Sequence, residues 1–132
     1  MLSEYTIICD VDGTLCPIKT NDQDYEDLVP YSCIVNKIKK YHEEGVKIVL
    51  FSSRNMNSYN GNLGMINKYT AKNTMSWLDK WEIPYDEIVF GKPWPGHKGF
   101  YIDDRSVRPS EFLEHSIEEL AELCENEKRL LK

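Results

Sequence analysis

The chain has 132 residues, 41% hydrophobic and 29% charged, with a formal net charge of −6. That is enough for one compact domain with a real core. It is too acidic for non-specific nucleic-acid binding, which rests on many Lys and Arg contacts to phosphates. No apolar run approaches the roughly 20 residues that span a bilayer, and Met1-Leu2-Ser3-Glu4-Tyr5 places no basic segment before an apolar one. Neither a membrane nor a secretory signal is therefore expected, and the expected compartment is the cytoplasm.

Tyr5 to Cys9 is a continuous apolar and β-branched run, the pattern of a strand buried on both faces. It runs into Asp10-Val11-Asp12-Gly13-Thr14, and the polar stretch from Pro17 to Pro30 reads as a loop or small flap. Ser32 can cap a helix to about Glu44, with Ile34, Val35, Ile38 and Tyr41 on one face and Gly45 at its end. Val46 to Phe51 is a second strand pattern that ends at Ser52-Ser53-Arg54. The Gly- and Asn-rich segment 55–64 reads as a loop, and a helix is expected over about Asn67 to Trp81.

Glu87 to Phe90 is a third strand pattern, followed by Gly91-Lys92-Pro93-Trp94-Pro95-Gly96, and Phe100-Tyr101-Ile102 a fourth that ends at Asp103-Asp104. Ser116-Ile117-Glu118-Glu119 is a capping box that opens a last helix. Strand and helix patterns alternate, which predicts an α/β fold: one doubly wound, Rossmann-like parallel sheet with helices on both faces, in a single domain over residues 1–132. The cysteines Cys9, Cys16, Cys33 and Cys124 form no C-x-x-C pair and have no ligand spacing to histidine. They read as free thiols rather than a zinc site.

Each apolar strand ends in a group suited to phosphate chemistry: Asp10 and Asp12, then Ser52, then Lys92, then Asp103 and Asp104. Ligands of open α/β sheets bind beyond the carboxyl ends of the strands. A carboxylate directly after a buried strand is costly unless it is paired or coordinates a metal. Two carboxylates as close as Asp10 and Asp12 suit one nucleophile and one proton carrier, although an Asp-Gly turn without chemistry has the same look. Asp103 and Asp104 are natural oxygen ligands for Mg²⁺ or, otherwise, a solvated loop. Ser52 offers a hydroxyl donor and Lys92 a positive charge for phosphoryl oxygens; Lys98 competes for that place, with Lys92 preferred for its stiff Pro-rich setting.

These residues, in this order, resemble the haloacid dehalogenase-like superfamily. Residues 10–15 read Asp-Val-Asp-Gly-Thr-Leu against its D-x-D-G-T-L motif, Ser52 ends an apolar strand, Lys92-Pro93-Trp94-Pro95 matches K-P-x-P, and Asp103-Asp104 matches its acidic pair. The resemblance implies an aspartyl-phosphate on Asp10 and a general acid and base in Asp12. It implies phosphoryl-oxygen contacts from Ser52 and Lys92, and a Mg²⁺ site made from Asp10, Asp12 through its main-chain carbonyl, Asp103 and Asp104. An acid at the second position of the first motif favours a phosphatase.

More narrowly, Arg54-Asn55-Met56, Tyr59-Asn60-Gly61-Asn62, Trp77-Leu78-Asp79-Lys80 and Arg108-Pro109-Ser110-Glu111-Phe112 resemble a small capless group associated with capsular or surface polysaccharide biosynthesis. That implies a small phosphorylated substrate, a sugar or polyol phosphate. With no insert large enough for a cap, specificity falls to loops and to Arg54, Asn55, His97 and Arg105. Arg54 and Arg105 suit either a clamp on an anionic group or a structural ion pair, and capless relatives imply a homo-oligomer. The competing readings are a phospho-accepting signalling module and an inactive binding protein on the same fold.

Overall fold

Three of the strand patterns form a parallel sheet in the computed structural model, which describes residues 2–131. β1 (Thr6–Asp10), β2 (Lys47–Ser52) and β3 (Glu87–Phe90) lie in the order β1-β2-β3. Asp10 stands beside Phe51 and Ser52 beside Phe90 in the register. The carboxyl ends of all three strands therefore align, which is what brings their terminal residues to one edge. The chain divides into two compact units, Met1–Trp94 and Pro95–Lys132.

In the first unit the period-2 alternation of the strands sorts the sheet into two faces. Ile48 and Leu50 are fully buried on one of them. Helix α1 (Ser32–Glu43) turns Ile34, Val35, Ile38 and Tyr41 inward, the spacing of one helical stripe, and Gly45 ends it at φ 98°. On the other face Ile8 is 66% exposed and Val89 44% exposed, so β1 is not buried on both faces as its composition predicts. The first unit by itself covers one side of its sheet.

The helical segment after β2 begins earlier than its hydrophobic spacing suggests. α2 (Leu63–Met65) passes through a π turn (Ile66–Thr70) into α3 (Ala71–Lys80). The start is set by Asn62, whose side-chain oxygen accepts the Met65 N–H at 3.2 Å. α3 buries Thr74, Trp77 and Leu78, and the Trp77 indole N–H donates to the Leu28 carbonyl at 2.8 Å. That bond anchors the 17–30 loop, which includes a short 3-10 turn at Tyr25–Asp27.

In the second unit, α4 (Pro109–Glu114) starts with proline at its first turn. α5 (Ile117–Leu130) opens on the expected capping box: Ser116 Oγ accepts the Glu119 N–H at 3.2 Å and the Glu119 carboxylate accepts the Ser116 N–H at 2.9 Å. Phe112, Ile117 and Leu120 form its small core. The fourth strand is a correction: residues 100–102 adopt no strand. A strand exists only through a neighbouring ladder, and no other segment of this unit is extended into one. Asp103 Oδ1 instead accepts the Arg105 N–H at 2.7 Å, a local turn that ends the run. No helix among the described residues is long and apolar enough to cross a membrane.

Candidate active site

The D-x-D-G-T loop is built by its own backbone. Leu15 N–H donates to Val11 C=O at 2.8 Å and Gly13 N–H to Cys16 C=O at 2.7 Å, with Gly13 at φ 89°, a value that favours glycine. Val11, Leu15 and Cys16 point into the core and are fully buried. The alternation leaves Asp10 and Asp12 at the rim.

Asp10 ends β1 with its Oδ1 3.3 Å from Lys92 Nζ and its Oδ2 accepting from Thr14 Oγ1 at 3.3 Å. Burial pushes its carboxyl above the ordinary carboxylate value, the Lys92 ammonium pulls it back, and the Asp12 charge adds to the rise. Lys92 reaches this position because Gly91 turns the chain directly after β3, at φ 88°. A Cβ there would sit 2.6 Å from Cδ2 of the exposed Leu63 side chain, which can shift, so it is the positive φ that favours glycine. Lys92 is the lysine on Asp10; Lys98 belongs to the second unit, where it is exposed.

Ser52, 1% exposed at the end of β2, accepts the Arg54 N–H on its Oγ at 3.0 Å. With that acceptor place taken, its own proton is left to point elsewhere. Arg54 is the residue whose place the sequence left open. It is 3% exposed, and its Nε and Nη2 donate to the two carboxylate oxygens of Asp12 at 3.0 and 2.8 Å. Nη1 donates to Thr74 Oγ1 at 3.4 Å, and the guanidinium carbon lies 4.2 Å from the Tyr25 ring centroid. Of its two readings, anion clamp or ion pair, the geometry is that of an ion pair with Asp12.

The Cys16 thiol also donates to Asp12 Oδ1, at 3.6 Å. Burial, then the Asp12 charge, pushes that thiol up to about 12; burial and the Asp10 charge do the same for Cys9.

Asn55 follows at φ 61° and accepts the Thr70 hydroxyl on Oδ1 at 2.7 Å. It joins the loop after β2 to the π turn, a helix irregularity often found at functional sites. Together with Tyr25, Tyr59 and Asn73, these residues line a cavity of about 50 Å³ on the far side of Arg54. Tyr25, Tyr59, Thr70 and Asn73 were not singled out in the sequence; the Tyr59-Asn60-Gly61-Asn62 run was the one signal that touched them.

His97, Asp103, Asp104 and Arg105 lie in the second unit and are exposed. Among the described residues no three histidine, cysteine or carboxylate side chains form a group that could hold a metal ion. The first unit offers two hard oxygen donors, the Asp10 carboxylate and the Asp12 main-chain carbonyl, while the Asp12 carboxylate is held by Arg54. Oxygen donors of this kind suit Mg²⁺ rather than a thiophilic metal, and a further carboxylate is needed to complete the set.

Neither a protein-family model nor a curated protein matches the chain. The crystal structure of an MCSG target from Vibrio cholerae is 47% identical to it, covering 93% of this chain and 98% of that one, with a TM-score of 0.86. Two structures of the Pnkp1/Rnl/Hen1 complex, one described as an RNA repair complex, are 24% identical over 71% of this chain. This chain covers 30% and 27% of those, at TM-scores of 0.48 and 0.47, too low to bear on function.

Proposed function

The chain belongs to the same family as the Vibrio cholerae protein, and from its own strand-end residues we propose that it is a phosphomonoester hydrolase of the haloacid dehalogenase-like type. The observation that carries this reading is the trio Asp10, Ser52 and Lys92 at three adjacent strand ends, with Lys92 Nζ 3.3 Å from Asp10 Oδ1. A nucleophilic carboxylate beside a fixed cation and a hydroxyl donor is what a transferring phosphoryl group requires.

An Asp10 oxygen attacks phosphorus, and the bond from phosphorus to the ester oxygen breaks. The departing oxygen takes a proton from Asp12, which can carry that proton only on an oxygen released from Arg54. Asp12 then accepts a proton from the water that attacks the aspartyl-phosphate, whose bond to Asp10 breaks to release inorganic phosphate. Lys92 and the Ser52 hydroxyl hold the phosphoryl oxygens throughout. In the first unit Asp10 and the Asp12 carbonyl are the groups that would hold Mg²⁺, with a further carboxylate to complete the set; the ion would supply charge neutralisation for an approaching phosphate in this acidic chain.

Arg54 is committed to Asp12, so the cavity behind it presents mainly neutral groups: tyrosine rings, amides and hydroxyls. Such a lining suits the uncharged, hydroxyl-rich part of a sugar or polyol phosphate, the substrate class proposed here, with a place in surface polysaccharide biosynthesis. The test is hydrolysis of p-nitrophenyl phosphate and of sugar and polyol phosphates with and without Mg²⁺. Turnover is expected with wild type and Mg²⁺, and none with Asp10→Asn. Undiminished turnover by Asp10→Asn would overturn the reading.

A further inference from the structure

The pair of Arg54 with Asp12 is lopsided. Asp12 Oδ1 accepts from Arg54 Nη2 at 2.8 Å and, more weakly, from the Cys16 thiol at 3.6 Å. Among the described residues Oδ2 accepts only from Arg54 Nε, at 3.0 Å. The longer, singly made bond is the easier one to open. The guanidinium itself is fixed from behind. Arg54 N–H donates to Ser52 Oγ at 3.0 Å, which seats its backbone just past β2. Nη1 donates to Thr74 Oγ1 at 3.4 Å, and Thr74 commits its own proton to the Thr70 carbonyl at 2.8 Å, so it meets Arg54 as an acceptor. The guanidinium carbon lies 4.2 Å from the Tyr25 ring centroid and 5.9 Å from that of Trp77. A planar fork bonded at one edge and flanked by rings has little freedom to turn.

We propose that Arg54 is a positioning residue for the proton carrier: it keeps Asp12 Oδ1 while Oδ2 is released to carry the proton. This rests on the phosphatase reading, in which Asp12 is the acid and then the base. The retained bond limits the directions in which the carboxyl can point, so Oδ2 presents its proton along few lines rather than many. As the bond from phosphorus to the ester oxygen breaks, the proton passes from Oδ2 to that oxygen and the alcohol leaves neutral. The ionised Asp12 then regains the Nε–H of Arg54, a charge-assisted bond that favours delivery. In the second half Oδ2 opens again and takes the proton of the attacking water. The π turn acquires a use here. It leads into α3 with Thr70 and Thr74 placed behind the loop after β2, Thr70 donating to Asn55 Oδ1 at 2.7 Å and Thr74 accepting from Arg54.

The test compares kcat for phenyl phosphate and p-nitrophenyl phosphate with Mg²⁺ present, two esters of similar shape. Nitrophenolate departs as a stable anion and needs a proton far less than phenolate does. Arg54→Lys keeps the charge but not the two-pronged geometry. It is expected to lose about 100-fold in kcat on phenyl phosphate and no more than about tenfold on p-nitrophenyl phosphate, with KM for both unchanged. Thr74→Val leaves Arg54 and Asp12 in place and frees only the Nη1 edge. The same split is expected from it, about tenfold on phenyl phosphate, and it decides the matter even where Arg54→Lys fails to fold. Equal losses on the two esters, a change confined to KM, or no loss at all overturns the positioning role while the phosphatase reading stands. Wild type that hydrolyses neither ester overturns both.

Discussion

The guanidinium of Arg54 holds both carboxylate oxygens of Asp12, at 2.8 and 3.0 Å, from a position only 3% exposed. Removing one member of a buried pair strands the other. Arg54→Gln is expected to lower stability by about 3 kcal/mol, read from urea unfolding. In the double variant with Asp12→Asn the two losses should fall well short of additive, because the pair is one unit. Strictly additive losses would show that the contact contributes nothing.

Asp10 and Lys92 divide chemistry from electrostatics. Asp10→Asn removes the nucleophile and is expected to abolish phosphatase turnover. Lys92→Ala leaves the nucleophile but removes the charge 3.3 Å from it, and a loss of about 10²–10³ in kcat is expected. Both variants should keep the wild-type circular dichroism spectrum. Equal residual rates in the two would separate neither role.

Asp86 ties β2 to the turn that leads into β3. Its N–H donates to the Ile48 carbonyl at 2.8 Å and its carboxylate accepts the Ile48 N–H at 2.8 Å. The backbone N–H of Ile48, with a smaller contribution from His42, holds this carboxyl below its ordinary value. Its stabilisation is therefore complete at neutral pH and is lost as pH falls through the folded-state value. Asp86→Ala is expected to cost about 1 kcal/mol at pH 7, and the gap from wild type should narrow as pH falls below the ordinary carboxylate range. A gap independent of pH would assign the loss to something other than the carboxylate.

Local signals were enough for much of this. The β-branched runs at Thr6–Asp10, Lys47–Ser52 and Glu87–Phe90 and the stripe Ile34, Val35, Ile38, Tyr41 carry their own periodicity, and Ser116 with Glu119 carries a capping signature. The start of α2 was hidden because Asn62 sits in a Gly- and Asn-rich run that reads as loop until its side chain is seen to cap. Residues 100–102 have the composition of a strand, but composition does not supply a neighbour, and pairing is a long-range property. At the strand ends, Asp10, Ser52 and Lys92 were legible because each directly follows an apolar run. The Arg54–Asp12 pair was not, since residues 42 apart in sequence announce no contact. The cavity residues Tyr25, Tyr59 and Asn73 meet only through the packing of the 17–30 loop against α3.

Two sulfurs sit against the reacting aspartates, and neither behaves as a thiolate. With their ionisation pushed to about 12, Cys9 and Cys16 remain protonated at any physiological pH, and the protonated form is a poor nucleophile toward alkylators and peroxide. The exposed Cys33 on α1 meets such reagents first. The low polarity of the ground on which the carboxylates stand therefore keeps both neighbouring sulfurs in their unreactive form.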